Sequence, residues 1–222
     1  MRWGKSVAVL LGLAMLLWLR AGQADTGSPE GAAAAPGHPP ETHILVFGDS
    51  LSAEYGLPRG TGWVQHLEQQ LAQRDQAYQI RNASISGDTT SGGLQRLPQV
   101  LREFDADIVI LQLGANDGLR GLPISEMSSN LRDMIGLIHA ENAKVLLVGQ
   151  HIPPNYGQRY TREFHAAYAS LSDETRTALV PFMLEAIATD PELFQADGLH
   201  PTVEAQKHIA DTIWPHLEAL LD

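Results

Sequence analysis

The sequence predicts an α/β domain whose core is a parallel sheet covered by helices on both faces. Three observations carry that prediction. Short runs of consecutive apolar residues recur along the chain, each ending in glycine or a polar loop, as strands buried on both faces do. Between them, apolar residues return every three or four positions, the spacing of one helix face. Strand and helix patterns alternate about five times, and crossovers containing a helix join parallel neighbours.

Taken in order, the first strand is His43-Ile44-Leu45-Val46-Phe47-Gly48, followed by a helical pattern at Trp63, Val64, Leu67 and Leu71. Tyr78 to Ala83 and Asp107 to Gly114 are the second and third strands; Met127, Leu131, Met134, Ile135 and Ile138 mark the next helix. Lys144 to Gly149 is the fourth strand, and a weaker run from Leu179 to Phe182 is the fifth. Val203, Ile209, Ile213, Leu217 and Leu220 close the chain as a final helix. Ligands bind such sheets beyond the carboxyl ends of the strands, so the loops there are where chemistry is expected.

The start of the chain reads differently. Arg2 and Lys5 precede an unbroken apolar run from Val7 to Leu19, and Gly22-Gln23-Ala24 offers the small residues of a cleavage site. The run has 13 residues; crossing about 30 Å of hydrocarbon takes roughly 20. Residues 1–24 are therefore expected to be an export signal, 25–41 a Gly/Pro/Ala-rich linker, and 42–222 one domain, in the periplasm or outside the cell, with no stable membrane insertion after cleavage. Removing the signal takes away Arg2, Lys5 and Arg20 and deepens the net charge from −11 to −14. An acidic chain without Lys/Arg clusters lacks the cations that grip a phosphate backbone, so nucleic acid is excluded as a partner. With no cysteine, thiolate nucleophiles, cysteine metal sites and disulfides are excluded too. A monomer is expected.

Three of the loops after strands are chemically unusual: Gly48-Asp49-Ser50-Leu51-Ser52, Ser86-Gly87-Asp88-Thr89-Thr90 and Gly114-Ala115-Asn116-Asp117-Gly118. A fourth segment, Asp197-Gly198-Leu199-His200-Pro201, stands before the last helix. Singly, each has a bland explanation as a turn or a helix cap. Together they hold every part of a nucleophilic hydrolase. A serine that attacks a carbonyl needs a neutral imidazole to take its proton, and the imidazole needs a carboxylate to fix its tautomer. Ser50, His200 and Asp197 supply that set. The oxygen that turns negative needs donors, and the N–H groups of Ser50 and Gly87 with the Asn116 side-chain amide are candidates. A helix starting at Ser50 would add its dipole, and Pro201 could open the final helix.

These blocks, in this order, resemble those of the SGNH (GDSL) hydrolase superfamily, over essentially the whole region from Thr42 to Leu221. Ser86-Gly87-Asp88-Thr89-Thr90-Ser91-Gly92-Gly93 and Ile152-Pro153-Pro154-Asn155-Tyr156-Gly157 resemble its bacterial periplasmic branch of TesA-type acyl-CoA thioesterases, lysophospholipases and arylesterases. The resemblance implies a flavodoxin-like three-layer α/β/α sandwich with a mainly parallel five-stranded sheet. It implies Ser50 as nucleophile, Asp197 and His200 as its partners, and Gly87 with Asn116 completing the oxyanion hole. It further implies that Gly118 to Leu122 is a mobile loop beside the acyl chain, so that Leu119, Leu122, Ile152 and Pro153 contact substrate.

The reaction so read is hydrolysis of a small acyl ester, thioester or lysolipid through an acyl-Ser50 intermediate, with no metal or organic cofactor required. A carbohydrate O-acetylesterase could use the same machinery, and a non-catalytic lipid- or glycan-binding module could keep the fold. Asp49, Asp88 and Asp117 read as acceptors for loop N–H groups. His151, after the fourth strand, is a possible substrate contact. The nine histidines include no His-x-x-x-His pair that would set two metal ligands on one helix face.

Overall fold

The computed structural model describes residues 41–221. The expected export signal and the linker up to residue 40 lie outside the described residues. Five strands, β1 (Thr42–Gly48), β2 (Tyr78–Asn82), β3 (Ile108–Gln112), β4 (Lys144–Val148) and β5 (Ala178–Val180), form one sheet in the order β2-β1-β3-β4-β5. Every neighbouring pair is parallel. This is the doubly wound order whose switch point lies between β1 and β3, where chains leaving the two strands diverge to opposite faces and open a crevice.

Six helices, α1 (Trp63–Leu71), α2 (Thr90–Glu103), α3 (Ala115–Leu119), α4 (Ile124–Ala140), α5 (Gln158–Thr175) and α6 (Ala205–Leu221), complete the described fold. The strands sort their side chains by alternation. Leu45, Phe47, Val109, Leu111, Val145 and Leu147 pack with α2, α4 and α5 on one face. Ile44, Val46, Ile108, Ile110, Leu146 and Val148 pack with α1 and α6 on the other. The central strands are apolar through their middles because both their faces are dry there. β2 stands at the edge and is only half-buried, a weaker pattern with the same backbone role.

Three helices lacked a clear signal in the sequence: the short α3, α2 and α5. α2 carries Gly92, Gly93 and Pro98, poor helix formers, and is started by Thr89, whose hydroxyl accepts from the Gly92 N–H at 3.3 Å. Its glycines admit a close approach: a side chain at Gly93 would run into Leu113. α5 shows the core only Phe164, Tyr168 and Leu171 among many polar residues. The last helix starts later than the apolar pattern implies. Val203 lies outside α6 and is 39% exposed. Pro201 does not open that helix; it pairs with Phe194 in an isolated antiparallel bridge.

Candidate active site

Ser50 leaves the carboxyl end of β1, Asn116 sits in α3 just past β3, and the two therefore flank the switch point. The expected helix dipole at Ser50 is absent. Residues 50–56 form tight turns, with the Ser52 and Ala53 N–H groups donating to the Asp49 carbonyl, and no regular helix begins before Trp63.

The loop carrying Asp197 and His200 reaches Ser50 from 150 residues away. His200 Nε2 lies 2.9 Å from Ser50 Oγ, and His200 Nδ1 lies 2.6 Å from Asp197 Oδ2. The other carboxylate oxygen, Oδ1, accepts the N–H of Leu199 at 2.9 Å and of His200 at 3.0 Å. Partial desolvation works against the Asp197 anion, but the His200 N–H, the His200 ring and the Leu199 N–H outweigh it and hold the carboxyl down at about 2. It is anionic throughout the neutral range, an acceptor for an imidazole N–H at Nδ1. That bond leaves Nε2 free to receive the serine proton.

Gly87 has φ +81° and a Cβ there would meet nothing, so its small size serves the backbone turn and keeps the opening clear. Among the described residues, no acceptor meets the N–H of Ser50 or of Gly87. Asn116 Nδ2 donates to the Asp88 carbonyl at 3.0 Å and reaches Asp49 Oδ2 only at 3.4 Å, a long contact. Three donors thus border one opening.

A polar frame holds these groups. Asp49 is fully buried; its Oδ1 accepts from Gln112 Nε2 at 2.9 Å and from the Leu51 N–H at 3.1 Å. Gln112 Oε1 accepts in turn from Ser52 Oγ and from the Asp49 N–H. Burial pushes the Asp49 carboxyl up to about 6, against the pull of the Gln112 amide, the Leu51 N–H and the charge of His200. Asp117 accepts the Thr90 N–H at 2.9 Å and the Thr90 hydroxyl at 2.6 Å, binding the start of α2 to α3. Asp88 accepts Arg96 Nε at 2.6 Å, and the same guanidinium donates to the carbonyls of Ala83 and Gly48. Arg96 thereby fastens the Gly87 loop to the end of β1. Nothing in the sequence marked Arg96, because its partners, the Asp88 carboxylate and two main-chain carbonyls, follow no local spacing.

Ser50, Gly87, Asn116 and His200 open into a cleft of about 480 Å³. Leu119, Ile152 and Pro153 line it, whereas Leu122 does not; Leu122 is 36% exposed, and its carbonyl accepts the Tyr160 hydroxyl at 2.7 Å. His151 lines the cleft, stacked 4.1 Å from Phe182. Sequence reasoning missed the lining residues Phe182, Leu184, Ala188 and Phe194, which come from an irregular stretch without periodicity, and it missed Tyr55.

The model of the GDSL-like lipase/acylhydrolase family matches residues 46–208, which include all four blocks. The chain belongs to that family. It is a serine hydrolase by that membership. Esterase TesA of Pseudomonas aeruginosa is 46% identical over 178 residues, covering 80% of this chain and 89% of that protein. Thioesterase 1/protease 1/lysophospholipase L1 of Escherichia coli K12 is 38% identical, covering 81% and 85%. A crystal structure of TesA matches with a TM-score of 0.78 at 45% identity, covering 81% of this chain and 99% of the other.

Proposed function

We propose that the chain is an exported serine esterase that hydrolyses acyl esters, acyl thioesters or lysolipids at Ser50. The observation that carries this reading is the unbroken relay from Ser50 Oγ to His200 Nε2 to Asp197, at 2.9 Å and 2.6 Å, at the mouth of a largely apolar cleft. The hydroxyl of Ser50 adds to the acyl carbonyl as its proton passes to His200. The oxyanion takes the N–H groups of Ser50 and Gly87 and the Asn116 amide, which gives up its long contact to Asp49. His200 then protonates the departing alcohol or thiol, and activates the water that frees the acid.

The cleft supports an acyl chain better than a sugar ring. Leu119, Ile152, Pro153, Phe182, Leu184 and Phe194 present apolar surface, with polar groups confined to the relay end and to Gln150 and His151. Among the described residues, no helix is long and apolar enough to cross a membrane. The basic start and short apolar run of residues 1–24 support passage out of the cytosol. Outside the cytosol, lysolipids and dispersed esters are more accessible than acyl-CoA.

The test is a panel of p-nitrophenyl esters from acetate to palmitate, a lysophospholipid and an acetylated oligosaccharide. Turnover of the acyl esters with a chain-length preference, lost in Ser50→Ala, is the expected outcome. A profile confined to the acetylated sugar would select the carbohydrate esterase, and undiminished hydrolysis by Ser50→Ala would end the reading.

A further inference from the structure

The relay is anchored unevenly. Ser50 rises from a central strand, but His200 and Asp197 sit on an irregular loop, with 19% and 40% of their side chains exposed. Two hydrogen bonds, one at each ring nitrogen, hold the edge of the imidazole and leave contact with its faces to other groups. Tyr55 covers one face of it: the ring centroids are 4.4 Å apart and the planes are inclined by 38°. Tyr55 is itself 50% exposed, and its hydroxyl has no partner among the described residues. Contact through the ring is what holds it at the cleft.

The backbone beneath that ring is tied to the histidine loop. Gln195 Nε2 donates to the carbonyls of Tyr55 and Pro201, both at 3.0 Å, and the Gln195 N–H donates to the His200 carbonyl at 2.7 Å. The neighbouring Gly56 makes room for that amide, since a Cβ there would collide with Gln195. On the other side, Glu54 adopts a left-handed φ of +57°, a sparsely populated conformation. Its carboxylate accepts the Gly60 and Gly62 N–H groups at 2.9 Å and 2.8 Å, which fixes the turn. The chain on both sides of Tyr55 is thus tied, at Glu54 to the following turn and at the Tyr55 carbonyl to Gln195, while the Tyr55 ring itself meets the imidazole.

We propose that Tyr55 is a positioning residue of the relay, its ring packed on the His200 imidazole and coupled to the histidine loop through Gln195 so that Nε2 stays in line with Ser50 Oγ. The inference rests on the serine-hydrolase reading. As His200 takes the serine proton it becomes a cation, and the face of an aromatic ring stabilises a cation more than the neutral imidazole that preceded it. The contact therefore strengthens in the transition state, where it raises kcat.

The test compares Tyr55→Leu, Tyr55→Phe and Gln195→Ala on a short p-nitrophenyl ester and on a small fluorophosphonate too short to use the acyl cleft. In that reagent Ser50 Oγ bonds to phosphorus, fluoride leaves and the serine proton passes to His200, so the labelling rate reads the relay and not chain binding. Tyr55→Leu should lower both kcat and the labelling rate about three- to tenfold with little change in KM. Tyr55→Phe should restore both rates, because the ring and not the hydroxyl makes the contact. Gln195→Ala should act in the same direction, and the double variant should fall short of the product of the two. Normal labelling of Tyr55→Leu with a raised KM would reduce Tyr55 to a wall of the cleft and overturn the proposal. A Tyr55→Phe variant as impaired as Tyr55→Leu would also overturn it. If Ser50 of the unaltered protein fails to label, the hydrolase reading itself falls, and this inference with it.

Discussion

Asp49, at the end of β1, is fully buried and has its carboxyl pushed up to about 6, whereas Asp197, on the rim, has 40% of its side chain exposed and is held down at about 2. The number of donors does not explain the difference. Asp49 meets the Gln112 amide, the Leu51 N–H and, at 3.4 Å, the Asn116 amide; Asp197 meets two backbone N–H groups and the His200 ring. Water decides it. Desolvation opposes the anion in both cases, and only at the fully buried site do the neutral donors fail to offset it. The same residue type thus serves as a permanent anion on the rim and as a frame group that loses its charge below about pH 6.

The comparison predicts that the rim carboxylate governs rate and the buried one governs stability. Asp197→Asn should show the largest effect, a loss of roughly 10⁴-fold in kcat from a wrongly held imidazole, with only a modest fall in the urea midpoint at pH 7 from the lost stabilisation of a part-exposed carboxylate held down at about 2. Steady-state kinetics beside unfolding curves would reveal any reversal of that pattern. Asn116→Ala, on the residue that touches Asp49 from the cleft side, should cost about 10²- to 10³-fold in kcat, or roughly 2.7 to 4 kcal/mol of barrier. A loss expressed only as a raised KM would place Asn116 in substrate binding instead.

The buried carboxylate gives a test in pH. Between an unfolded value near 3.8 and a folded value of about 6, the folded chain keeps a proton on Asp49 that the unfolded chain has released. Its stabilising contribution is full below 3.8 and is lost as pH rises through about 6. That loss is on the order of 2 to 3 kcal/mol. Urea unfolding of the protein, minus that of Asp49→Asn, should therefore decline from pH 4 to 7. A difference that rises over that window would reverse the argument. The smallest effect belongs to Leu122→Ala, which should leave chain-length preference within about twofold, since Leu122 lies off the cleft and small ΔΔG effects are usual at the surface.

Residues whose place in the chain, after a strand or beside a partner, follows from the local pattern were legible in the sequence. Ser50, Gly87 and Asn116 each stand just past a strand, and Asp197 and His200 are close enough in sequence to reveal their pairing. The central strands were legible because both faces are buried and four or more consecutive apolar residues fill each of them. What stayed hidden depends on distant partners. Tyr55 meets His200 from a turn with no period of its own, the wall at Phe182 and Phe194 comes from irregular chain, and Leu122 was assigned to the cleft only from its loop. α2 was masked by Gly92, Gly93 and Pro98, residues of low helix propensity, of which Gly93 lets the helix approach Phe47 and Leu113 closely.

The central claim is that Ser50 is a nucleophile whose proton leaves through His200. Locating a fluorophosphonate adduct by mass spectrometry tests it most directly, on the unaltered protein and on His200→Ala. One adduct on the peptide containing Ser50, nearly absent from His200→Ala over the same interval, is the predicted result. An adduct on any other residue, or equal labelling of His200→Ala, would contradict it.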